Sequence, residues 1–82
     1  MKHSPAKWVI HVFNHEFNGH GVAKLSSLLG LTKQAVHSWQ HLRKKRGVRG
    51  LIPNDCQRQI LRYAKAHNLD ITEHDIIWGR ET

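Results

Sequence analysis

The eighteen residues VAKLSSLLGLTKQAVHSW, from Val22 to Trp39, constrain this chain more than any other stretch. Leu25, Leu28 and Leu29 recur at helical spacing, and Val36 and Trp39 do the same further on, so two short helices can press one face each into a shared core. Gly30 falls between them. A glycine there takes the positive φ that ends a helix, and Thr32 is a good N-cap for the helix that follows.

Two helices joined so tightly have the geometry of a helix-turn-helix. Small Ser26 stands four residues before Gly30, Leu31 directly after it, Val36 six after and Trp39 nine after. On those residues the segment resembles the phage and prophage Cro and repressor type of helix-turn-helix, the lambda-repressor-like family. Ser26 departs from the usual alanine, but serine is also small. The resemblance is specific over Val22 to Trp39 and looser over the flanking helices. It implies an all-α, small five-helix domain that binds an operator as a dimer and represses transcription.

Charge points the same way. Thirteen Lys and Arg against six Asp and Glu give +7, unevenly distributed. Residues 1–50 hold nine cations against Glu16 alone, a balance of +8; residues 51–82 hold four against five, a balance of −1. A basic amino-terminal part suits a polyanion, although a membrane surface, a ribosomal role or plain solubility also fits charge alone. At 82 residues the chain suits one small core and little more. Lone Cys56 forms no intrachain disulfide, which is compatible with a reducing cytoplasm. There is no apolar run of bilayer length, and MKHSPAKW lacks a signal-peptide core, so the sequence reads as a cytoplasmic protein of a bacterium or phage-infected cell, associated with the nucleoid.

Along the chain, Ser4-Pro5 reads as N-cap and first helical position, followed by an apolar stripe of Ala6, Val9, Ile10, Phe13 and Phe17. Asn18 and Gly19 stop this helix, and Gly21 keeps the link flexible or tightly turned. The helix-turn-helix spans 22–42, a basic linker 43–50 and carboxy-terminal helices 53–78. Pro53 and Asp55 open a fourth helix with Cys56, Ile60, Tyr63 and Ala64 inward, Cys56 as a core residue rather than a reactive thiol. Thr72 and Asp75 resemble a capping box, with Ile71 and Ile76 at hydrophobic-staple spacing. Ile76, Ile77 and Trp78 then either pack on the core or contact a partner. No strand pattern is convincing.

The third helix carries the base-reading candidates Thr32, Lys33, Gln34, His37 and Ser38. Gln can bridge adenine N6 and N7, Lys can donate to guanine O6 and N7, and hydroxyls serve bases or phosphates. A solvated helix face is the plain alternative. Lys24, His41, Arg43, Lys44, Lys45, Arg46 and Arg49 are the phosphate-binding candidates, five of them packed into seven residues that repel one another without a polyanion nearby. A solvated linker or a nuclear-localisation run would look the same. The amino end of the fourth helix, near Arg49 and Asn54, offers N–H groups to a phosphate.

Eight histidines raise a metal reading, with His11 and His15, and His37 and His41, each on one helical face. HEFNGH fails the zinc-protease pattern, because its second histidine comes four residues after Glu16 and beyond Gly19. Neither a metal site nor a cofactor is expected. Protonation of His37 and His41 would instead strengthen phosphate binding at lower pH. No nucleophile, base and oxyanion set is evident, so no enzyme is expected. Two other readings stay open: an antitoxin-type module that holds a partner protein and regulates its own promoter, and an excisionase that bends DNA for an integrase.

Overall fold

The computed structural model describes residues 2–41 and 52–81. The expected basic linker of 43–50 lies outside them. Helix α1 (Pro5–Glu16) starts as its sequence dictates: Ser4 is in extended backbone, its Oγ accepts from the Lys7 N–H at 3.3 Å, and Pro5 fills the first helical position. Its end is marked by positive φ at Asn18 and Gly19, and the Gly19 N–H donates to the Asn14 carbonyl at 2.7 Å. Ala6, Val9, Ile10 and Phe13 are buried and Phe17 is half-buried. Trp8, off that stripe, is buried as well.

Helix α2 (Gly21–Leu29) begins hard against α1. The Gly21 N–H donates to Asn14 Oδ1 at 2.8 Å, and a Cβ on Gly21 would stand 2.5 Å from the Asn14 nitrogen. Gly21 is therefore the close-approach point between two helices rather than a loose link. At the other end Gly30 is left-handed at φ 68°, and both its own N–H and that of Leu31 reach the Ser26 carbonyl. Thr32 then caps helix α3 (Lys33–His41), its Oγ1 accepting from the Ala35 N–H at 3.0 Å. Ser26 is buried, and its hydroxyl is satisfied by the Ala23 carbonyl at 2.8 Å, so serine serves where a smaller apolar residue would. Leu25, Val36 and Trp39 join the core.

Helix α4 (Asn54–Ala66) buries Cys56, Ile60 and Ala64; Pro53 is its N-cap rather than its first residue. Tyr63, expected inward, is half-buried, its ring 5.7 Å from Phe13 and stacked on His67 at 4.1 Å. Helix α5 (Glu73–Trp78) carries the full capping box: Thr72 Oγ1 accepts from the Asp75 N–H, and Asp75 Oδ2 accepts from the Thr72 N–H. Ile71 and Ile76 are both buried, as a staple requires.

That burial corrects one expectation. Ile76 has no exposed surface because it packs into the protein's own core, so it cannot serve a partner, whereas Ile77 and Trp78 are 49% and 61% exposed. A second correction concerns strands. Residues β1 (Lys2–His3) and β2 (Arg80–Glu81) pair antiparallel, with His3 opposite Arg80. Strands of two residues leave no alternating pattern to read. Gly79 permits the pairing: its φ is 87°, and a Cβ there would overlap the His3 carbonyl oxygen. The molecule is thus mostly helical, five helices with a short two-stranded ribbon among the described residues.

Beside the ribbon, Trp8 Nε1–H donates to the Asp70 carbonyl at 2.9 Å. The Arg80 guanidinium lies 4.5 Å from the Trp8 ring and ion-pairs with Asp70 and with buried Asp75, at 2.9 and 2.6 Å. Those bonds hold the Asp75 carboxyl below the usual carboxylate range: the hydrogen bonds from Arg80 contribute most, opposed by burial and assisted by the Thr72 N–H.

Candidate nucleic-acid interface

Val36 and Trp39 fix one side of α3 in the core, and this determines what the other side presents. At about 100° per residue, Gln34 and Ser38 fall on the line opposite Val36, with Lys33 and His37 on a second line beside it. Thr32, Lys33, Gln34, His37 and Ser38 are all exposed. Four of the five expected base readers therefore share the accessible side of α3, and Thr32 is exposed at its amino end as the cap.

The two hydroxyls are not equivalent. Thr32 Oγ1 already accepts the Ala35 N–H, so its remaining strong capacity is its own O–H, as a donor. Ser38 Oγ donates to the Ala35 carbonyl at 2.6 Å, so what it keeps is acceptor capacity. A donor suits guanine O6, thymine O4 or a phosphate; an acceptor suits the amino groups of cytosine or adenine. Lys33, Gln34 and His37 make no side-chain hydrogen bond or ion pair among the described residues, and their polar ends face solvent.

The phosphate candidates fare differently. Lys24 is half-buried, with its ammonium 5.4 Å from the Phe17 ring and 5.3 Å from that of Tyr63. Its ammonium thus lies over two of the protein's own aromatic rings, unlike the open side chains of the readers. Arg43, Lys44, Lys45, Arg46 and Arg49 lie outside the described residues, and so does the side chain of His41 at the end of α3. Asn54 is exposed at the start of α4.

Sequence reading passed over Arg58, Arg62 and Lys65 of α4, all exposed. Their signal was the helical spacing of three cations, hidden by a near-neutral total for residues 51–82. Cys56 is buried, and burial, with the Asp55 carboxylate adding to it, pushes its thiol pKa up and keeps it protonated. Among the described residues no three His, Cys, Asp or Glu side chains gather as a metal would need. His11 packs on Trp8 and His3, at 5.4 and 5.6 Å between ring centres.

No described helix is long and apolar enough to cross a membrane. Comparison with known protein families, with curated proteins and with solved structures found no match to this chain.

Proposed function

We propose that the protein is a sequence-specific regulator that binds double-stranded DNA through α3, in the manner of the Cro-type repressors its α2–α3 segment resembles. One observation carries the reading: a polar, exposed side of α3 backed by Val36 and Trp39 and joined to α2 through left-handed Gly30. Gln34 and Lys33 read base edges; Thr32 donates and Ser38 accepts; His37 lies beside them. A dimer on DNA sets two copies of α3 in successive major grooves, about 34 Å apart, so the operator is an inverted repeat. Ile77 and Trp78, not Ile76, are the apolar side chains open to the second copy. The regulator then blocks polymerase by occupying its operator.

Selection of bound sites from random duplexes tests this. A palindromic consensus is expected, and Gln34→Ala or Lys33→Ala should weaken binding to it by about 1–3 kcal/mol while sparing random DNA. Equal losses on both would remove α3 from the role of reader. The exposed Ile77 and Trp78 favour a second reading, an antitoxin-type module that holds another protein there. A partner that co-purifies in fixed ratio and is lost on Trp78→Ala would select it.

A further inference from the structure

Helix α4 carries a stripe of cations that its own fold does not use. Ile60 faces the core with no exposure, and at about 100° per residue Arg58, Arg62 and Lys65 fall within about 60° of one another on the opposite side. All three are exposed, and none forms an ion pair with any described residue. Their spacings, four residues and then three, make them neighbours on the helix surface, where like charges repel.

A helix face meant only for solvent normally mixes signs, so that neighbours attract. Of the five carboxylates in residues 51–82, Asp70 and Asp75 are bound to Arg80, and Asp55, at the start of α4 one turn before Arg58, pairs with none of the three cations. The near-zero charge of residues 51–82 therefore hides a stripe of three cations with one carboxylate, Asp55, at its amino end. From Arg58 to Lys65 the stripe runs about 10 Å along the helix axis. One strand of duplex DNA carries about three phosphates over that axial length.

We infer that Arg58, Arg62 and Lys65 form a second DNA-binding surface, which holds backbone phosphates without reading sequence. This rests on the reading of the protein as a DNA binder, but not on α3 being the reader. Phosphates would relieve the repulsion along the stripe and release counterions as they bind.

The test is the salt dependence of duplex binding by the full chain. Each phosphate deprived of its cation lowers the slope of log affinity against log salt by about 0.9, so the triple variant Arg58→Gln, Arg62→Gln, Lys65→Gln should lower it by about 2 to 3, on cognate and random duplexes alike. Its melting temperature should not fall, because a repulsive set has been removed; the single variant Arg62→Gln, with a drop of about 1, repeats the measurement with least disturbance. Lys7→Gln, an exposed cation of α1, is the control. An equal drop there would mean that net charge alone is being read, and would overturn the proposal. So would an unchanged slope in the triple variant, or loss of binding to phosphatidylserine–phosphatidylcholine vesicles with DNA binding intact. Failure of the wild-type chain to bind any duplex at low salt would overturn the DNA reading with it. A normal slope change in α4 variants together with indifferent Gln34→Ala and Lys33→Ala variants would sink only the role of α3.

Discussion

The α2–α3 segment and the ribbon around Trp8 are stabilised by opposite means. In the first, every turn-forming bond spans five residues or fewer: Gly30 and Leu31 return to Ser26, and Thr32 caps at Ala35. In the second, Trp8 donates to a carbonyl 62 residues away, and Arg80 joins the Trp8 ring to Asp70 and Asp75. Local bonds form wherever their few residues stand, whereas the ribbon needs the whole fold to bring its members together. The turn and cap that present α3 are thus set by short-range rules, and the framework under them is closed by long-range ones.

The largest blow to that contrast is Trp8→Ala. Deleting a buried aromatic side chain should cost about 3–5 kcal/mol in chemical denaturation, since the ring fills the core and supports Arg80. Trp8→Phe should cost less, keeping a ring for Arg80 while losing the bond to Asp70. If Trp8→Ala unfolded no more easily than wild type, the ribbon would be an ornament and the helices would hold themselves.

The same contrast explains what could be read in advance. The Ser4-Pro5 start, the Gly30 turn, the Thr32 cap and the Thr72–Asp75 box are local signals, and each stands where its spacing put it. So does the exposed set on α3, because Val36 and Trp39 leave it no other side. Trp8 was off the apolar stripe, and its burial depends on residues 70 and 80, which no periodicity links to it. The rings beneath Lys24 are equally invisible to periodicity, since Tyr63 belongs to another helix. Gly21 reads from sequence as either a flexible or a tightly turned link, and only the neighbouring helix reveals how closely two backbones pass there.

A smaller and more selective break comes from the glycines at the two ends of α2. A Cβ on Gly30 would meet nothing within 4 Å, so Gly30→Ala should lose only the conformational difference, about 1–2 kcal/mol, and Gly30→Asn should recover most of it. At Gly21 the obstacle is the close approach of Asn14 and Phe13, so Gly21→Ala should destabilise and Gly21→Asn should rescue nothing. Thermal melts of the four variants separate the causes. Rescue by asparagine at both positions would mean that α2 is held by conformation alone, not by its approach to α1.

The gentlest probe is pH, because it acts on the ribbon and leaves the α2–α3 turn alone. Arg80 and the Thr72 N–H hold the Asp75 carboxyl below its ordinary range in the folded protein, so folding favours the charged form. The stability this gives is complete above the unfolded carboxyl's pKa and is lost as pH falls through the lower, folded value. Asp75→Asn removes the charge at every pH. Its melting temperature should therefore lie below wild type by a constant margin above about pH 5, and the margin should shrink as pH drops below about 4. A margin that persisted unchanged in strong acid would mean that Asp75 acts through shape rather than charge.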